Sequence, residues 1–356
     1  MAFSPNYKIT QDILQQLLKI EQIKESFKES RISPTLMALL KSSAKIASIH
    51  YSTKIEGNRL TQQEVEEIIF KRRSIKERRR YSSEIKAYYK AINYLEKCLE
   101  KKAVFSESLI QQTHNLVENR KVSYRDGQNA IYDNASKNIV YLPPEAKDVP
   151  ILMQDLVEWV NRDQETPRVV VAALVHYQFV TIHPYYDGNG RTARLLTSFL
   201  MRKFGYGLKG IYALEEYYAK DLGGYYTALM THENHNYYEG REYADLTPWV
   251  EYFVRGVAEV FEKISIRATA SHNLQDFSIE MRKLDITQRK ILELFTEFAN
   301  VTSLQIAQYL GMSQQSGRLL ANRWIQAGFL EFANHSKKAR KYRLSKQYEK
   351  IVTAKT

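Results

Sequence analysis

At 356 residues the chain is long enough for two or three domains with cores of their own. Its 44% hydrophobic and 26% charged residues describe a soluble globular protein and exclude disordered and fibrous classes. One cysteine, Cys98, excludes an internal disulfide framework, while the net charge of +12 points to anionic partners, in one patch or in several. No apolar run reaches the length of a bilayer span, so no membrane is expected. Met1-Ala2-Phe3-Ser4-Pro5 carries no basic-then-apolar signal pattern, and the expectation is a cytoplasmic protein.

Ile13, Leu14, Leu17, Leu18 and Ile20 recur at helical spacing and predict amphipathic helix up to about residue 40. A second helix is expected from about Leu39 to Glu56, stopped by Gly57-Asn58. Ser52 and Glu56 are four apart and share a face of it. Thr61-Gln62-Gln63-Glu64 reads as a capping box opening the next helix. The basic run from Lys71 to Arg80 could be a nucleic-acid patch, and a solvated helix end or loop is the reading preferred. Helical periodicity resumes near Ser83 with Ile85, Tyr88, Tyr89, Ile92 and Leu95, placing Cys98 in a core rather than at a reactive surface. A further helix follows Ser106, its N-cap.

Between Val122 and Tyr141 the helical spacing fails. Asn129-Ala130-Ile131-Tyr132 and Asn138-Ile139-Val140-Tyr141 flank Asp133-Asn134-Ala135-Ser136, which predicts a hairpin ended by Pro143-Pro144. Val149 to Trp159 reads as a helix. Val169 to Ile182 reads as a nearly all-apolar one, too short for a bilayer and therefore the central buried helix. His176 lies within it and is read as a satisfied core histidine. Two histidines and one carboxylate nearby, without HExxH or a cysteine pattern, argue against zinc. Tyr217 to Met230, with Tyr225-Tyr226, and Trp249 to Phe261 complete the helical core.

The stretch from Lys263 to Arg282 reads as a connector. Beyond it, helices over Thr287–Phe298, Ser303–Leu310 and Gln315–Ala327 are followed by two short strands, Phe329–Phe332 and Tyr342–Leu344, around Asn334-His335-Ser336-Lys337-Lys338. That order resembles a winged helix-turn-helix. From Arg282 to Thr356 there are 14 Lys+Arg against 5 Asp+Glu, a net +9, so most of the excess positive charge sits here. DNA contact through residues 283–356, with Arg318, Asn322 and Arg323 on the recognition helix, is preferred over protein contact or self-association.

The richest stretch is His183-Pro184-Tyr185-Tyr186-Asp187-Gly188-Asn189-Gly190-Arg191-Thr192-Ala193-Arg194. Gly188-Asn189-Gly190 can point successive N–H groups into one concavity, an anion nest. Leu195, Leu196, Phe199 and Leu200 then continue at helical spacing, so the nest opens a helix whose N-terminus suits phosphate. Arg191 and Arg194 are three apart and offer two guanidiniums to a polyphosphate. Asp187 could hold Mg2+, and His183 is the one neutral-pH base in the stretch.

These residues resemble the signature of the Fic (filamentation induced by cAMP) family, HPFx(D/E)GNGRxxR, with Tyr185 where Phe is usual. The resemblance implies a mainly α fold: a Fic-type helical core with a small β-hairpin flap, here followed by the winged helix-turn-helix. The boundaries implied are an N-terminal helical region over 1–100, a core over 101–262, a linker over 263–282 and the last unit over 283–356. Ser52-Thr53-Lys54-Ile55-Glu56-Gly57 is similar to the family's inhibitory pattern (S/T)xxxE(G/N). There the glutamate pairs with the second signature arginine, here Arg194, and obstructs the γ-phosphate. The flap, Asn129 to Tyr132, would grip a target's backbone by adding an extended segment. Tyr225 and Tyr226 would form the nucleoside end of the pocket, where relatives often have Asn at the position of Asp221.

The function implied is a protein adenylyltransferase that moves AMP from ATP to a Ser, Thr or Tyr hydroxyl of a target protein. His183 would be its base, ATP would lie on Gly188, Asn189, Gly190, Arg191 and Arg194, and Mg2+ on Asp187. Self-modification is open with 25 tyrosines, as is the oligomeric state, a homodimer included. Relatives that remove AMP, or that transfer other phosphate-containing groups, keep that alternative open, with Glu56 placing water. So does a DNA-binding regulator that uses the core as a sensor.

Overall fold

The computed structural model describes residues 3–29, 32, 34–70, 78–132, 138–272, 283–334 and 340–353. In chain order, α1 (Gln11–Glu29), α2 (Pro34–Ile55), α3 (Gln62–Phe70), α4 (Arg79–Glu100) and α5 (Glu107–Glu118) precede β1 (Ile131–Tyr132) and β2 (Ile139–Tyr141). Then come α6 (Val149–Arg162), α7 (Arg168–Ile182), α8 (Asn189–Lys203), α9 (Glu215–Lys220), α10 (Leu222–Leu229) and α11 (Thr247–His272).

A helix with no polar face must be covered on every side, and α7 is: every residue from Val169 to Phe179 is buried. It lies among α6, α8 and α11, with Trp249 Nε1 donating to the Ala173 carbonyl at 2.8 Å. α1 runs along α11, and the preceding strand-like segment is tied there by Lys8 N to Thr247 Oγ1 at 2.9 Å and Leu246 N to the Asn6 carbonyl at 2.8 Å. Ile13, Ile49, Ile85 and Leu109 therefore share one buried cluster with Val175, Leu196 and Phe253.

Several boundaries differ from the sequence reading. α1 ends at Glu29 and α2 begins at Pro34, five residues ahead of Leu39, because proline suits a first helical turn. α4 begins at Arg79, taking two arginines of the basic run; Lys71 to Glu77 lie outside the described residues. The single helix expected over Tyr217–Met230 is two, α9 and α10, broken at Asp221. The Asp221 backbone leaves helical geometry and its carboxylate accepts from Gly224 N at 2.9 Å. α11 continues to His272, into the stretch read as a connector; residues 273–282 lie outside the description. The Thr61 capping box is present, Thr61 N reaching Glu64 Oε2 at 2.7 Å and Glu64 N reaching Thr61 Oγ1 at 3.2 Å.

The tail has its own core around Ile291, Trp324, Phe329 and Tyr342. It comprises α12 (Ile286–Glu297), α13 (Ser303–Leu310), α14 (Gln314–Gln326), the antiparallel pair β3 (Leu330–Asn334) and β4 (Lys341–Leu344), and α15 (Lys346–Thr353). α15 was not anticipated; Tyr348, Ile351 and Val352 bury one side of it. Residues 335–339, most of the expected wing tip, are not among those described. No described helix is long and apolar enough to cross a membrane.

Gly317 sets the α13–α14 crossing. A Cβ there would lie 2.7 Å from both the Ser303 carbonyl oxygen and Ala307 Cβ. Gly317→Ala would stabilise a free helix, yet here it should destabilise the tail by about 1–3 kcal/mol. Urea melting followed by Trp324 fluorescence checks this; an unchanged or higher midpoint contradicts the tight crossing.

Candidate active site

Helix α7 is terminated by His183, which adopts left-handed geometry at φ 49° and ψ 59°, a place more often filled by glycine. The turn is buckled by Asn189, whose amide spans the Tyr185 backbone: Oδ1 accepts from Tyr185 N at 3.1 Å and Nδ2 donates to the Tyr185 carbonyl at 2.7 Å. Tyr185 is fully buried and stacks on His114, with centroids 3.5 Å apart and planes 6° from parallel. It fills the core position expected of it. Gly188, at φ 75°, opens α8, and a Cβ there would meet Glu118 Oε1 at 2.6 Å. No side chain caps α8, so its first N–H groups remain available to an anion.

The His183 Nδ1 lies 3.2 Å from the Val180 carbonyl. A carbonyl can only accept, so Nδ1 carries the proton and Nε2 is the basic nitrogen. Burial lowers the imidazole pKa to about 4, against the Val180 carbonyl, which favours the charged form. His176, seven residues earlier, is satisfied as expected: Nδ1 lies 2.9 Å from Thr197 Oγ1 and Nε2 lies 2.8 Å from the Tyr225 hydroxyl.

The two arginines have different surroundings. Arg191 is enclosed by carboxylates, with Glu84 at 2.9 Å, Glu118 at 3.2 Å and Asp187 at 3.4 Å. Burial raises the pKa of Glu84 and of Glu118, and the Arg191 charge pulls both back. Of the two guanidiniums expected to face phosphate, Arg191 is thus matched here by three carboxylates. Asp187 itself is exposed, and its Oδ1 accepts from Gly188 N at 2.6 Å. Arg194 is 3% exposed and reaches back to the C-terminal end of α2. Its Nε donates to Ser52 Oγ at 2.8 Å, and its Nη2 donates to the Ser52 carbonyl at 2.9 Å and to Glu56 Oε1 at 2.7 Å. Burial is the largest single influence and works against the Arg194 charge; Glu56, with Tyr225 and Tyr88, together outweigh it, and the net shift is upward. The same Glu56 oxygen would be 2.5 Å from a Cβ on Gly190. One carboxylate therefore covers both the second arginine and the first turn of α8.

Tyr225 is 2% exposed, its hydroxyl held by His176 and its ring against Tyr218 and Trp249. Its ring is thus packed into the core in this structure. Tyr226 is 47% exposed, its ring 5.3 Å from that of Tyr225. The hairpin is present, Ile131 opposite Tyr141 and Tyr132 opposite Ile139 with a bulge between, though 133–137 lie outside the described residues. Asn129 Oδ1 accepts from Ala130 N at 2.9 Å, and Tyr132 is exposed. Glu84, Glu118, His114 and Arg125 were missed, each from a helix or loop that gives no spacing relation to the signature.

Residues 104–201 match the Fic/DOC family model. A Drosophila mojavensis protein named "Protein adenylyltransferase Fic" is 29% identical over 216 residues, 56% of this chain and 41% of its own length. Its Drosophila melanogaster namesake is 32% identical over 176 residues, 47% of this chain and 34% of its own. The chain thus spans between a third and about two fifths of these relatives' length. Among solved structures, a Fic family protein from Desulfovibrio desulfuricans superposes with TM-score 0.63 at 23% identity, covering 97% of this chain and 99% of that one. Fic-1 from C. elegans gives 0.57 at 22% identity over 73% and 72%. At these identities the likeness is one of fold.

A lowered imidazole pKa keeps His183 neutral, and so able to take a proton, well below its ordinary value of 6.5. Its NMR titration should centre near pH 4, with Nδ1 protonated above that. A midpoint at or above 6.5 would contradict the burial described.

Proposed function

The chain carries a Fic domain over residues 104–201, and on that premise we propose that it is a protein adenylyltransferase held in an inhibited form. The observation that carries the proposal is the Glu56 carboxylate on Arg194 at 2.7 Å, over the first turn of α8. A guanidinium fork and an uncapped helix N-terminus make an anion site, and a carboxylate of the chain itself fills it.

With Glu56 withdrawn, the ATP phosphates take its place on Arg194 and on the N–H groups of Asn189 and Gly190, and reach the Gly188 N–H once Asp187 Oδ1 gives it up. Arg191 acts behind them, organising the acidic cluster that shapes the loop. Tyr226 offers its ring to the base. A Ser, Thr or Tyr hydroxyl oxygen attacks the α-phosphorus while the bond to the α–β bridging oxygen breaks, and pyrophosphate departs in line. His183 Nε2 takes the hydroxyl proton, its own proton held on Nδ1 by the Val180 carbonyl. Asp187 suits Mg2+, which is commonly held by one or two carboxylates plus substrate phosphates and supplies charge for the departing group. The outer edge of β1 would receive the target's extended backbone.

Glu56→Gly with α-labelled ATP and a cell lysate tests this. Label should appear on protein with Glu56→Gly and much less with the parent chain. His183→Ala in the same background should remove it by about a hundredfold or more. Absence of protein label from Glu56→Gly would overturn the proposal.

We propose DNA as a further partner of the tail, on the ground of its net charge of +9 from Arg282 to Thr356. Arg318 and Arg323 are exposed on α14, whose other side, at Gly317, Ala321 and Trp324, is buried. Replacing both with Ala in the full chain should weaken duplex retardation and reduce its salt slope by about two. An unchanged slope removes these residues from any DNA contact.

A further inference from the structure

Arg125 is a buried cation for which the reaction as described has no use. It is 2% exposed, and every acceptor of its guanidinium is a backbone carbonyl. Nε donates to His183 O at 3.0 Å and Nη1 to Gly127 O at 3.1 Å. Nη2 donates to Pro144 O and, at 3.5 Å, to Ile182 O. Its own backbone N–H donates to Pro184 O at 2.9 Å. These carbonyls fall into two groups. Ile182, His183 and Pro184 form the end of α7 and the turn that presents the imidazole. Gly127 precedes β1 and Pro144 follows β2, so they are the two roots of the hairpin.

We propose that Arg125 is a positioning residue that fastens both roots of the β1–β2 hairpin to the peptide that turns His183 into the site. Burying a charge without a carboxylate is costly unless other dipoles replace water. The end of α7 supplies them, since its last carbonyls have no intrahelical donor and carry the negative end of the helix dipole. One planar fork reaching four carbonyls makes hairpin and histidine a single unit. It also holds His183 in a left-handed conformation that side chains bearing a Cβ seldom adopt. A lysine, with one compact ammonium, cannot span the same set. A target bound along β1 would thereby be placed relative to Nε2 by this side chain. The proposal rests on the adenylyltransferase reading for its reaction, though not for its geometry.

Arg125→Lys and Arg125→Gln, each in the full chain carrying Glu56→Gly, test it by two measurements. The first is the NMR titration of His183 without substrate. The second is labelling kinetics with α-labelled ATP and the lysate protein that the Glu56→Gly chain labels, each varied separately. Arg125→Gln removes a positive charge beside the imidazole, so the His183 midpoint should rise, and less so in Arg125→Lys. Both should lower kcat about a hundredfold and raise KM for the protein, leaving KM for ATP unchanged, because the phosphate contacts come from α8. Folded variants that keep the parent's midpoint and kcat overturn the proposal, as does a fall in kcat matched by an equal fall in folded fraction. Should Arg125→Gln fail to fold, Arg125→Lys carries both measurements. If the Glu56→Gly chain labels no protein, the adenylyltransferase reading fails by itself, and the titration alone decides for or against Arg125.

Discussion

A guanidinium buried as deeply as that of Arg194 must be given an anion, and the rest of the site is arranged around which anion it receives. In the present form it has Glu56, together with the hydroxyl and carbonyl of Ser52. Exchange of the Glu56 carboxylate for phosphate oxygens would preserve charge balance while Ser52 keeps its two hydrogen bonds, whereas removal of the carboxylate without a replacement would leave a buried cation without an anion. Such a site holds one of two occupants and disfavours the empty state. Under the proposed function, inhibition and substrate binding are thus one interaction made with alternative partners.

The backbone serves the same end by different means. Asn189 gives its whole amide to the Tyr185 peptide, and Tyr185 is locked by stacking on His114. The turn is therefore rigid before any ligand arrives. Arg191 contributes to that rigidity, since Glu84 from α4, Glu118 from α5 and Asp187 from the loop converge on it. A signature with two arginines divides them, one organising the scaffold and one left to exchange partners. Preorganisation of this kind lowers the reorganisation needed when charge develops in a reaction.

Much of this was legible in the sequence, for identifiable reasons. The all-apolar stretch that became α7 could only be central, and the glycine-bounded nest followed by helical spacing could only open a helix. Ser52 and Glu56 were found through a pattern, not through geometry: nothing in the chain alone says that positions 138 apart meet at 2.7 Å. Glu84, Glu118 and Arg125 were not legible, because a single glutamate or arginine in a helix or loop looks the same whether solvated or paired across the fold. The burial of Tyr225 was not legible for a related reason. A Tyr-Tyr pair on a helix points in two directions, and which ring faces the core depends on partners such as His176, 49 residues away. The break at Asp221 came from a capping side chain that periodicity does not weigh.

The position of Glu56 also bears on how the exchange could proceed. It stands one residue past the end of α2, in the turn where its N–H reaches the Thr53 carbonyl at 3.1 Å and Gly57 adopts φ 89°. Ser52, the other ligand of Arg194, belongs to the helix proper and is fully buried. Two of these three Arg194 hydrogen bonds are therefore fixed by the core, and the third is carried by a terminal turn whose glutamate side chain is 31% exposed. Swinging that turn away would sacrifice one ion pair while Ser52 kept the guanidinium aligned for its next partner. Helix ends open at lower free energy than the cores behind them. Under the proposed function, a brake mounted at the end of α2 would thus release without unpacking the helix that carries it.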